Sequence, residues 1–164
     1  MSMITSKEAK NILRRLEMEL NNLKNKESEN HKFCAAVGED IEDLRPDYDF
    51  KTINNEMKNL NKSIMELKHK INAFNIMTYV GDTGLTIDQV LVRMPQINNR
   101  IYTLDIMRRR QPKVRRGITG SVIDYEYTNY DPSEVDLEYQ ELMNELDSLQ
   151  EALDLTNNTV TFEY

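Results

Sequence analysis

Residues 50–74, FKTINNEMKNLNKSIMELKHKINAF, decide the fold class. Phe50, Ile53, Met57, Leu60, Ile64, Leu67, Ile71 and Phe74 recur at alternating steps of three and four. In a helix of 3.6 residues per turn this spacing returns every apolar side chain to one face. The stripe is narrow, two positions per heptad. It predicts a long helix lying nearly parallel or antiparallel to its neighbours, in a bundle or coiled coil. A helix of this length spans about 37 Å.

Three other segments repeat the pattern, each behind a start signal. Thr5 with Glu8 has capping-box spacing, in which each side chain satisfies the other's backbone amide. Ala9, Leu13, Leu16, Leu20 and Leu23 follow. Thr86 with Gln89 opens the next, with Ile87, Val90, Met94, Ile97, Ile101 and Leu104 behind it. Pro95 lies inside this run and predicts a kink or a short break, because proline removes an amide donor and crowds the preceding turn. Asp131-Pro132-Ser133-Glu134 places an N-cap, an N1 proline and an N3 acid ahead of Val135, Tyr139, Leu142, Leu146, Leu149 and Leu153.

Between the helices the period changes. Ile123, Tyr125 and Tyr127 alternate with Asp124, Glu126 and Thr128, the pattern of a half-buried strand. Thr159 to Tyr164 alternates too, and Phe33 to Val37 is short, apolar and closed by Gly38. Lone strands are unstable, so these pieces should pair with each other or with another copy of the chain. Residues 38–49 read as an acidic, solvated connector, and Tyr79 to Gly84 as a turn. The expected architecture is mainly α: long antiparallel helical hairpins or a four-helix coiled-coil-like bundle with a small β element. It occupies residues 1–164 as one elongated domain, with helices near 6–30, 49–75, 87–111 and 132–156 and strands near 33–37, 121–128 and 159–163.

Composition agrees. Of the 164 residues 30% are charged and 39% apolar, with five glycines, four prolines and no tryptophan. That is more charge and less apolar content than an average globular domain, as expected for long solvated helices. The net charge of −7 argues against a chain that coats nucleic acid, since phosphate binding needs excess Lys and Arg. The charge is unevenly placed. Residues 117–164 carry 12 acidic and no basic side chains, which leaves residues 1–116 at +5. The longest uncharged run, Ile71 to Gly81, has 11 residues, and a membrane helix needs about 20. Lys7, Glu8 and Lys10 interrupt the N-terminus, so no secretory signal is expected there. The single cysteine, Cys34, suits the cytoplasm, where disulfides are rare.

Few residues invite chemistry. Arg108, Arg109, Arg110, Lys113, Arg115 and Arg116 place six cations in nine residues, a candidate anion-, phosphate- or nucleic-acid-binding patch. Within that run there are no aromatic residues of the kind single-strand binding uses. The other reading is structural. The run complements a helix C-terminus and is the nearest source of positive charge for the acidic third behind it. His31 and Cys34 lie three apart, but zinc needs three or four such ligands, and His69 is the only other histidine. Cys34 reads as a small buried side chain. Glu134, Glu138, Glu141 and Glu145 follow a solvated helix face and do not suggest a catalytic pair. Tyr125, Tyr127, Val160 and Phe162 are candidates for self-association through strands. No cofactor, metal or small-molecule ligand is implied, and an enzyme is the least favoured class.

The order of parts resembles a family of small bacterial proteins described as septicolysin-like. Four places carry the resemblance: Leu13-Arg14-Arg15-Leu16 with Leu20 and Leu23; Lys70 to Thr78, similar to an I-N-x-T-N-x-x-T stretch with Phe74 in place of the usual threonine; Leu85-Thr86 followed by Arg100 and Leu104; and Leu149 to Asp154 with Asn157. The resemblance implies a helical hairpin body with an attached β element and self-association. Its cytolysin label would imply an oligomer that inserts into membranes. It implies no catalytic residues.

Overall fold

The computed structural model describes residues 2–119 and 122–164, with backbone alone for 118 and 119. The chain is mainly helical. In order it forms β1 (Met3–Thr5), α1 (Ser6–Asn30), α2 (Ile41–Leu44), α3 (Phe50–Met77), α4 (Ile87–Arg108), β2 (Lys113–Thr119), β3 (Val122–Tyr127), α5 (Pro132–Thr159) and β4 (Thr161–Glu163). Three of the long helices start at the caps read from sequence, and α3 starts behind Asp49. Thr5 and Glu8 form the full capping box, with the Glu8 amide donating to Thr5 Oγ1 at 3.2 Å and the Thr5 amide to Glu8 Oε2 at 2.8 Å. Thr86 and Gln89 repeat it. The Thr52 amide donates to Asp49 at the head of α3, and the Ser133 amide to Asp131 at the head of α5.

Contacts divide the chain into two compact units, Met1–Asn75 with Asn157–Tyr164, and Ile76–Thr156. In the first unit the seam of α3 buries Ile53, Ile64, Leu67 and Phe74, while Phe50 at its start stays exposed. Ile4, Ala9 and Leu67 form a buried cluster, against which Ile12, Leu13, Leu16, Ile71, Phe162 and Tyr164 pack. Lys68 of α3 pairs with Glu17 of α1 at 2.8 Å, and the Tyr48 hydroxyl, just ahead of α3, donates to Glu27 at 3.1 Å. Rising numbers along α1 therefore meet falling numbers along α3.

In the second unit Ile87, Val90, Ile97 and Leu104 of α4 are buried, as are Val135, Leu142, Leu149 and Leu153 of α5. Arg93 grips Glu145 with two parallel bonds of 2.8 and 2.9 Å, and Arg108 meets Asp136 at 2.9 Å. Here too the order of partners is reversed. The turn between α3 and α4 is closed by Val80, fully buried, whose amide donates to Leu85 at 2.8 Å. α4 runs unbroken through Pro95, so the predicted break does not occur. The bond that proline forfeits belongs to the carbonyl of Leu91. Both residues lie on the exposed side of the helix, where water can take that carbonyl.

The β element departs from expectation in three ways. First, residues 33–37 form no strand. The Ala36 amide donates to the Glu39 carboxylate at 2.7 Å and the Glu39 amide returns to the Ala36 carbonyl at 3.2 Å, so this backbone is spent in a local turn. Phe33 lies under the Arg45 guanidinium, Val37 is exposed, and α2 interrupts the expected connector. Second, α4 ends at Arg108 rather than near 111. Pro112 disfavours helical geometry at the residue before it, and the chain turns into β2. β2 pairs antiparallel with β3, Lys113 opposite Tyr127 and Arg115 opposite Tyr125. Ser121, the first residue of the predicted strand, lies outside the described residues. Third, the C-terminal strand pairs with a strand not expected from sequence. β4 pairs antiparallel with β1, Ile4 opposite Phe162. The two strand pairs form separate two-stranded sheets.

Candidate functional site

Two of the six cations singled out from sequence meet on one carboxylate. Arg110 and Arg116 both reach Glu126 on β3, Arg110 at 2.8 Å to Oε1 and Arg116 to Oε2. A β-bulge makes this possible. The register runs from Arg115–Tyr125 directly to Gly117–Asp124, leaving Arg116 as the extra residue. The Arg116 hydrogen bond and, beyond it, the charges of Arg110 and Arg116 hold Glu126 below the usual carboxylate range.

The remaining cations are also occupied, with one exception. Arg108 lies over the ring of Tyr139 at 4.2 Å while binding Asp136. Arg109 turns back to Asp105 at 2.8 Å. Lys113 lies over Tyr125 at 4.1 Å and Tyr127 at 5.5 Å. Arg115 makes no ion pair among the described residues. For Arg108, Arg110 and Arg116 the acidic third supplies the counter-charge, since Asp136 and Glu126 belong to it. These pairs are solvent-exposed, so each is worth little individually and is screened by salt.

The hairpin also brings together what the linear run lacks. Lys113, Arg115, Tyr125 and Tyr127 are cross-strand neighbours on one face, with both tyrosines exposed. At its base the Tyr130 hydroxyl donates to the carbonyl of Met107 at 2.7 Å, and the Thr128 amide to that of Pro112 at 3.1 Å. Glu126 was not singled out from sequence. The alternation Asp124, Glu126 was the available signal, since one face of a strand carrying acid must meet whatever pairs with it.

The other candidates separate. Phe162 stacks on Phe74 inside the first unit, so its ring is engaged within the chain. Val160 is exposed in the link between α5 and β4. Cys34 is exposed rather than buried. His31 Nδ1 lies 2.9 Å from the Glu27 carbonyl. Among the described residues no three His, Cys, Asp or Glu side chains come together as a metal cluster. The perturbed carboxylates Glu8, Glu42, Asp49 and Asp131 are lowered by hydrogen bonds within helix caps or by a neighbouring arginine, and all are solvent-exposed. An open groove along α1 is lined by Ile4, Glu8, Ile12, Arg14, Arg15 and Met18. No helix of the described residues is long and apolar enough to cross a membrane.

The fold is similar to one solved by crystallography, that of a functionally unknown conserved protein from Corynebacterium diphtheriae. The TM-score is 0.64 at 16% identity, over 99% of this chain and 100% of that one. At that identity the likeness is one of fold alone. No protein-family model matches the chain, and neither does any curated protein.

Proposed function

We propose that this protein is a non-catalytic helical scaffold that acts by self-association, its body two antiparallel helical hairpins of coiled-coil type. One observation carries the reading: α4 keeps large apolar side chains exposed although its seam is already filled. Leu91, Val92, Tyr102 and Ile106 face solvent while Ile87, Val90, Ile97 and Leu104 are buried. A soluble chain retains such a second stripe at a cost unless something covers it. The lowered carboxylates support the non-catalytic part, since each owes its shift to a helix cap or to a surface ion pair. Sedimentation of the whole chain from one to several hundred micromolar tests the proposal. A concentration-dependent shift to a larger species is expected; a monomer throughout would defeat it.

A second reading rests on the hairpin face. Tyr125 and Tyr127 beside Lys113 and Arg115 form a small stacking platform with cations, the arrangement that binds single-stranded nucleic acid. Titration of a labelled oligonucleotide at low salt tests it. Binding should weaken steeply with salt and with Arg115→Ala, and no binding at low salt would remove this reading. Kinship with septicolysin-like proteins and a cytoplasmic location belong to the same proposal. Their support is the four resembling stretches and the single exposed Cys34. Dye release from liposomes by the purified chain would instead favour a cytolysin.

A further inference from the structure

We propose that two copies pair through the outer face of α4, antiparallel, about a two-fold axis passing between Asn98 and Asn99; the inference rests on the self-association reading above and names its surface. Asp88, Leu91, Pro95, Asn98, Asn99, Tyr102, Ile106 and Arg109 share one solvent-exposed side of α4, an arc of about 100° beside its buried seam. Arg109 continues the helical backbone as the C-cap. The steps between these residues are 3, 4, 3, 1, 3, 4 and 3, the same read in either direction. The exposure is substantial: 50% for Leu91, 71% for Tyr102 and 51% for Ile106.

A two-fold axis across a helix sets residues symmetric about its crossing point against each other. With the axis between Asn98 and Asn99, Leu91 meets Ile106 of the second copy, and Pro95 meets Tyr102 of the second copy. Asp88 then meets Arg109 of the second copy, and each contact occurs twice. The ends of the face are thus oppositely charged, and the antiparallel arrangement matches them. Asp88 has no ion pair among the described residues. Arg109 is held by Asp105 alone, and a guanidinium has donors left for a second carboxylate. A parallel arrangement would set Asp88 on Asp88 and Arg109 on Arg109. The two asparagines are the polar pair at the centre, where an amide–amide bond across the axis fixes register.

The face is about 31 Å long at 1.5 Å per residue and roughly 10 Å wide. It covers a few hundred Å² per copy, below the roughly 800 Å² of a standard interface. Association should therefore be micromolar rather than nanomolar, which sets the concentrations to use.

The test compares the full-length chain with Leu91→Glu/Ile106→Glu by sedimentation, with circular dichroism to verify helix content. The wild type should form a dimer, and the double variant should weaken it at least tenfold with helix content retained. Because a variant can misfold, cross-linking supplies a second measurement. In a Cys34→Ser background, Asn99→Cys should form a disulfide-linked dimer under mild oxidation, while Glu138→Cys on α5 should not. A wild type that associates while the double variant associates equally, or while Asn99→Cys cross-links no better than Glu138→Cys, overturns this surface and leaves self-association standing. A wild type that stays monomeric overturns both.

Discussion

The ring of Phe162 stacks on that of Phe74, with centroids 4.7 Å apart and planes inclined by 29°. This contact ties the C-terminal strand to the buried end of α3 and engages an aromatic side chain that would otherwise be free for another copy. Phe162→Ala should lower unfolding stability by about 2 kcal/mol or more, less than for a fully buried ring because Phe162 is half-buried. It should leave the sedimentation behaviour of the folded chain unchanged. Chemical denaturation read beside sedimentation separates the two effects.

Leu67 is fully buried and belongs to the cluster with Ile4 and Ala9. Leu67→Ala leaves a cavity lined by α1 and β1 and should cost about 3 kcal/mol. Met65, two positions away and exposed, gives the contrast. Met65→Ala should change stability by less than about 0.5 kcal/mol. Equal losses at the two positions would show that the seam is not where the periodicity places it.

Glu126 binds its proton less tightly in the folded chain than in the unfolded one, first because Arg116 donates to it. The folded carboxyl value is lowered, so this group contributes stability above the ordinary glutamate value of about 4.3. That contribution fades as the pH falls through the lowered folded value. The Nε resonance of Arg116, followed by NMR, should stay constant near neutrality and move with a midpoint below that ordinary value. Glu126→Gln should abolish the titration. A midpoint at or above about 4.3 would mean the ion pairs do not persist in solution.

Gly84 has φ of +72°, a region that L side chains rarely adopt, although a Cβ there would touch nothing within 4 Å. Gly84→Ala should therefore cost about 1 kcal/mol through backbone strain alone. Gly117, with neither positive φ nor a close neighbour, should accept alanine with no strain of this kind. Thermal unfolding of the two variants side by side checks the distinction.

Raising salt should weaken the ion pairs around Glu126, all of them exposed, while the apolar face of α4 loses little. If assembly uses that face, the dimer should persist in molar salt, where the Arg116 Nε signal exchanges faster. Dissociation by a few hundred millimolar salt would instead assign assembly to charge.

The helices were legible because their signals are local. The seam of α3, the Thr5–Glu8 and Thr86–Gln89 boxes and the Asp131 cap each involve residues within a turn or two of one another. Three features could not be read this way. Residues 33–37 have strand composition, but composition names no partner, and Glu39 closes the backbone into a turn first. β1 is three residues long, too short to show a period, and exists because β4 pairs with it. Glu126 gained its place from the Arg116 bulge, which no single-strand pattern contains.

The one-dimensional chain thus determined four long helices, their buried seams and a positive body joined to an acidic third, since periodicity, caps and charge are properties of short segments. Only the tertiary structure decided which charge meets which, where Phe162 goes and which apolar residues of α4 remain uncovered. Those outcomes depend on pairings between residues far apart in sequence. A segment's own energetics hold no information about the distant surface that will satisfy it.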